Sequence, residues 1–191
     1  LKQKILKYPR NFCLPEPSIG TASLRKLLLS DLDKLSLPKN SSPRWKTPKY
    51  FIERFIQHPF YNYHLFAIEH KSTVFGVMAT RNITYRGSII IRIVDFVGDE
   101  NMLAECGSAL QNLMIKVGAE YTDFWNFGIL PNIFFKAGFR IVKADGALIC
   151  PNYFEPFEPR NMRLFCAFKV HRDKPFFVCK ADGDQDRPSS L

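Results

Sequence analysis

The sequence has no apolar run near the roughly 20 residues that a bilayer-spanning helix needs, so no membrane span is expected. Its five cysteines, Cys13, Cys106, Cys150, Cys166 and Cys179, contain no C-x-x-C pair. Their odd number and wide spacing argue against a disulfide framework and against zinc, and point to buried or idle thiols in a reducing compartment. The four histidines have no metal-ligand spacing, so no metal is expected. No Ser-His-Asp arrangement, glycine-rich phosphate loop, internal repeat or low-complexity segment is apparent. Residues 1–10 carry Lys2, Lys4, Lys7 and Arg10 instead of the apolar stretch of an export signal. The expectation is a cytoplasmic protein, trimmed at its start from a longer parent chain.

What is present fits one globular domain: 191 residues, 46% hydrophobic, 24% charged. The 18 phenylalanines suggest a core built around large rings. The net charge of +9 is uneven, with +8 in residues 1–60 and +1 in the remainder. Such an arm can attract phosphate or an acidic carrier protein. Its basic residues form no dense block and no stacking-aromatic pattern accompanies them, which favours a solvated surface over nucleic acid.

Residues 1–20 read as an irregular basic lead-in, with Pro9, Pro15 and Pro17. Residues 22–29 suit a first strand, Ser30 can cap a helix over 31–35, and residues 38–48 read as a loop. Thr47 can cap a second helix with Pro48 at its first position, ending at Pro59. Residues 65–69, 74–84 and 88–97 are rich in Val, Ile, Phe and Thr and read as an antiparallel three-strand meander. Apolar residues from Met102 to Val117 recur at helical spacing, with Gly118 placed to end the helix. A strand over 120–127 follows, then a short helix from Pro131 to Ala137 ended by Gly138. Residues 139–142, 147–150 and 162–170 are expected to supply closing strands, and 171–191 a polar tail.

This order of elements over residues 20–170, with Asn132-Ile133-Phe134-Phe135-Lys136-Ala137-Gly138-Phe139 as a helix and its Gly-Phe turn, resembles the GNAT superfamily of acyl-CoA-dependent N-acyltransferases. The stretches His58-Pro59-Phe60-Tyr61-Asn62-Tyr63, Pro151-Asn152-Tyr153-Phe154-Glu155-Pro156 and Lys180-Ala181-Asp182-Gly183-Asp184-Gln185-Asp186-Arg187-Pro188 resemble GNAT-like proteins of bacterial surface-glycan biosynthesis. The resemblance implies an α+β fold with a mixed, mostly antiparallel sheet of six or seven strands. It also implies one parallel pair, 88–97 with 120–127, splayed to admit acetyl-CoA or another acyl-CoA. Phe96, Val97, Gly98 and Asn126 would then meet the cofactor, and the pyrophosphate would sit on the following helix start. The family's loop there is Gln/Arg-x-x-Gly-x-Gly/Ala, whereas this chain has Val97-Gly98-Asp99-Glu100-Asn101. Each carboxylate gains about 0.3–1 kcal/mol from the helix dipole but loses about 1–4 kcal/mol against a phosphate at 4 Å. Phe134 stands where many members carry a tyrosine acid.

Asp95, in phase with Ile89, Ile91 and Ile93, is expected on an apolar face near a strand end, where a raised pKa suits a base. Alternatively it is a structural acceptor for a loop N–H. Asn126 could hold a cofactor amide or an ordered water, and Asp123 either contacts substrate or pairs with Arg92 across the strands. His58, Tyr61 and Tyr63 would line one side of an acceptor cleft, with Tyr153 and Glu155 in a loop closing over it. The tail carboxylates Asp182, Asp184 and Asp186 lack the glycine of a calcium loop, and a solvated or docking tail is expected. The function expected first is transfer of an acyl group from a CoA-type or carrier-protein thioester to an amine, as on a sugar or nucleotide sugar. The alternative is a catalytically inactive binding or interaction domain whose groove is filled or repurposed.

Overall fold

The computed structural model describes residues 20–37, 43, 45–85, 87–150, 161, 165–169 and 176–183. The lead-in, the loop of Tyr153 and Glu155, and Asp184 and Asp186 lie outside the described residues. The fold is α+β. Strands β1 (Ser23–Leu27), β2 (Tyr63–His70), β3 (Thr73–Tyr85), β4 (Ser88–Gly98) and β5 (Tyr121–Phe124) form one sheet in that order. The first four are antiparallel neighbours, and β5 runs parallel to β4 from Ile90↔Tyr121 to Ile93↔Phe124. The long β2–β4 meander expected from the Val, Ile and Phe runs is present. Lys71 and Ser72, both at positive φ, make the two-residue turn that matches strand twist. In β4 every residue except Ile89 is buried, as befits a near-continuous apolar strand covered on both faces.

Two clusters cover those faces. On one, Ile68, Met78, Ile93 and Phe96 meet Leu103, Leu110 and Ile133 from the helices α3 (Asn101–Ala104), α4 (Gly107–Val117) and α5 (Pro131–Lys136). On the other, Leu65, Val77, Val94 and Val97 meet Leu32, Phe51 and Phe55. Leu32 ends α1 (Leu29–Leu32), and Phe51 ends α2 (Pro48–Phe51), which a π-helical turn (Ile52–Ile56) continues. Thr47 caps α2 as expected, accepting the Tyr50 N–H at 3.3 Å, with Pro48 at the first position. Gly118 closes α4 at φ 69°, a conformation that favours glycine. α1 begins two residues earlier than Ser30 would have it, because the Asp31 carboxylate accepts the Leu28 N–H at 2.8 Å.

The helix expected over 102–117 is interrupted at Glu105 and Cys106. The Glu105 carbonyl accepts the Ala22 N–H at 3.2 Å, and its carboxylate accepts both the Thr21 N–H and hydroxyl at 3.0 Å. The chain entering β1 therefore takes the carbonyl at the break. The two Thr21 bonds hold the Glu105 pKa below its ordinary value. With the folded-state pKa depressed, this contribution is present at neutral pH and fades as pH falls through the carboxylate range. Glu105→Gln is expected to flatten the acid limb of a stability–pH profile measured by urea denaturation.

Several strand expectations are corrected. The described residues give a five-stranded sheet and a separate two-stranded ribbon, not one sheet of six or seven. The strand over 120–127 is divided at Trp125 into β5 and β6 (Asn126–Phe127). Residues 139–142 and 147–150 form no strand, and of the run 162–170 the described part, 165–169, is irregular. Phe139, Leu148 and Cys150 pack against the core singly, but Ile141 is 59% and Phe165 91% exposed, so none of these segments has a continuous face to bury. The pairing strand is instead β7 (Val178–Cys179), antiparallel to β6 and followed by a 3₁₀ turn (Lys180–Asp182). Apolar content alone does not make a strand; a face to bury does.

Candidate functional site

Beyond Ile93 and Phe124, β4 and β5 no longer pair. A bulge marks the departure in β4: Thr80 faces Ile93 and Ala79 faces Asp95, leaving Val94 as the extra residue. This interrupts the alternation expected from Ile89 to Asp95. The segment Phe177 to Asp182 runs through the opening. Phe177 belongs to the core on the α3–α5 face, stacking on Phe96 with centroids 5.7 Å apart, while Ala181 belongs to the core on the α2 face. The chain thus crosses from one face of the sheet to the other. Lys180 N–H bonds Trp125 O at 3.1 Å, and Arg54 Nη2 bonds Ala181 O at 3.0 Å. Gly128, at φ +104°, permits the close approach, since a Cβ there would lie 2.3 Å from the Phe176 carbonyl oxygen.

Asp95 sits where this segment meets the bulge, buried with no exposed side-chain surface. Its Oδ1 bonds Lys46 Nζ and accepts the Phe96 N–H at 2.8 Å, and its Oδ2 accepts the Tyr50 hydroxyl at 2.7 Å. Lys46, equally buried, also bonds Asp182 Oδ2 at 2.8 Å, and that oxygen accepts the Cys179 N–H at 2.7 Å. Burial and the neighbouring Asp182 push the Asp95 carboxyl up; Lys46 and Tyr50 pull against them. Burial also lifts the Cys179 thiol well above its ordinary value, so it is a protonated, unreactive sulfur. Oxygens of Asp95 and Asp182 and the Cys179 sulfur lie within 4.8 Å of one another. The Lys46 ammonium already supplies the cation that both carboxylates need, which disfavours a metal there.

A separate pocket of about 430 Å³ opens beside β5 and α5, walled by Thr122, Asp123, Trp125, Asn126, Phe134 and Arg140 among others. Asp123 takes three hydrogen bonds from Arg92, two from Nε at 3.1 Å and one from Nη2 at 2.8 Å, in the cross-strand pairing that the sequence left as one option. Asn126 donates to the Phe124 carbonyl at 3.4 Å. The buried Thr122 hydroxyl has no hydrogen-bond partner among the described residues. Asn161 braces the far wall, donating to Leu148 O at 2.7 Å and Lys143 O at 3.1 Å and accepting the Cys150 N–H at 3.0 Å. Phe134 packs edge-on against Phe124 and Phe139.

The structure therefore joins Asp123 and Asn126 at one pocket and places Asp95 outside its walls. Phe96 and Val97 are fully buried in the two cores, and Gly98 ends β4. His58, Tyr61 and Tyr63 form a third group. His58 stacks on Tyr61 at 5.3 Å, its Nδ1 accepts the Phe60 and Tyr61 N–H groups, and the Arg81 guanidinium lies 3.7 Å over the Tyr61 ring. At the start of α3, the Asp99 carboxylate accepts the Asn101 backbone and side-chain N–H groups at 2.9 and 3.1 Å. Asp182, expected in a solvated or docking tail, is docked and ion-paired.

Lys46, Tyr50 and Cys179 were not singled out from the sequence as site residues. Lys46 lies 49 residues from Asp95 and 136 from Asp182, separations that no local pattern reports. Comparison of the chain with protein-family models, curated proteins and solved structures finds no match.

Proposed function

We propose that this chain is a catalytically inactive GNAT-like domain that binds a small sugar-type ligand in the pocket beside β5. The observation that carries the reading is the passage of Phe177 to Asp182 between β4 and β6, where the resemblance would put the pantetheine. Two further features agree with it. The Asp99 carboxylate already caps the helix start that would receive the pyrophosphate, and Phe134, in the position of the family's acid, carries no proton to give. The pocket offers a ring-stacking surface in Trp125 and Phe134 and polar groups in Asp123, Asn126 and Thr122. Aromatic faces with a few convergent polar groups suit a hydroxylated ring such as that of an amino sugar, with Asn126 and Thr122 as its polar partners, since the Asp123 carboxylate is taken by Arg92.

The second reading is an N-acyltransferase taking its acyl group from acetyl-CoA, another acyl-CoA or an acidic carrier protein. It is favoured by the Val94 bulge beside a parallel strand pair that splays. Calorimetry separates the two. Acetyl-CoA is expected to bind with Kd weaker than about 1 mM, whereas an amino sugar is expected to quench Trp125 fluorescence. Micromolar affinity for acetyl-CoA would overturn the inactive reading.

A further inference from the structure

We propose that Lys46 and Asp95 condense into an intramolecular amide, a covalent tie between the segment entering α2 and the bulged part of β4, with Asp182 carrying the proton. Nucleophile, electrophile and proton carrier are all present. Lys46 Nζ adjoins Asp95 Oδ1 and bonds Asp182 Oδ2 at 2.8 Å. The Asp95 carboxyl receives the Tyr50 hydroxyl on Oδ2 and the Phe96 N–H on Oδ1, donors that withdraw charge from Cγ and steady a tetrahedral intermediate. Trp45 and Phe177 wall the ammonium at 5.1 and 5.9 Å from their ring centres. The Lys46 and Asp95 side chains are fully buried and held together, the conditions under which an intramolecular reaction gains most from proximity.

The step balances without a further reactant. Lys46 passes one proton to Asp95 Oδ1, leaving a free amine and a carboxylic acid. The amine attacks Cγ, and negative charge develops on Oδ2 beside the Tyr50 hydroxyl. Asp182 takes the second proton from nitrogen and delivers it to Oδ1, which departs as water. The product is a neutral amide, and Asp182 is again a carboxylate. Burial raises the Asp95 pKa, which favours the protonated, electrophilic carboxyl, while Asp95 and Asp182 hold the Lys46 pKa above its ordinary value, so the free amine arises only by transfer within the pair. Asp182 Oδ1 has no hydrogen-bond partner among the described residues, so that carboxylate keeps an acceptor unused by the fold.

Intact mass spectrometry of the denatured full chain tests this directly. The expected mass is one water below that of the sequence. Trypsin is expected to release a branched peptide in which residues 45–49 are joined through Lys46 to Asp95 in residues 93–116. Cyclisation at Asp145-Gly146 or Asp182-Gly183 would also lose one water, but mild alkali reverses it, whereas the amide survives. Lys46→Arg keeps a cation that cannot condense, and its mass is expected to be the full one. A parent chain at full mass, a deficit that alkali removes, or a deficit retained in Lys46→Arg would each overturn the proposal.

Discussion

Asp123→Ala is expected to lower the unfolding free energy by about 3–5 kcal/mol, because it leaves the Arg92 guanidinium buried without its carboxylate. Arg92 is 2% and Asp123 9% exposed, and Arg92↔Asp123 is also the third register pair of the parallel β4–β5 ladder. The double replacement Arg92→Leu with Asp123→Leu is expected to recover most of the loss, since removing both charges also removes their desolvation. Urea denaturation of the parent and the two variants measures it. A loss below about 1 kcal/mol in Asp123→Ala would mean that water reaches the pair through the pocket, as at an exposed salt bridge.

The Arg92–Asp123 pair was legible because the sequence placed both residues on strands separated by one helix, and opposite charges in register are the ordinary reason for such a match. The meander, the Thr47-Pro48 helix start and the Gly118 and Gly138 helix ends were legible for the same reason: periodicity and capping are local. The break at Glu105 was not, because it depends on Thr21 and Ala22 across 84 residues in sequence. Nor was the choice of closing strand. Residues 165–169 and 176–179 are both rich in Phe and small apolar residues, and only the opening between β4 and β6 distinguishes them by giving the second a place to bury. Asp182 shows the limit most sharply. In a run of alternating carboxylates it reads as solvated, yet its side chain is only 8% exposed and pairs with Lys46, far back in the chain.

Phe177→Ala is expected to cost about 3–5 kcal/mol and Phe165→Ala less than about 0.5, a contrast that tests which tail segment closes the core. Phe177 is 2% exposed, stacked on Phe96 and set beside the Lys46 ammonium, so truncation leaves a cavity on the α3–α5 face. Phe165 is 91% exposed and has no core face to lose. The loss at Phe177 is bounded below by the ring's transfer free energy and rises with the volume that neighbours cannot refill. Collapse is resisted because the segment is pinned on both sides, by Lys180 N–H on Trp125 and by Arg54 on the Ala181 carbonyl. Thermal denaturation of the two variants side by side reads the difference. Equal melting temperatures would show that Phe177 adds nothing to the core, and the passage of this segment through the sheet, which carries the inactive reading, would fall with it.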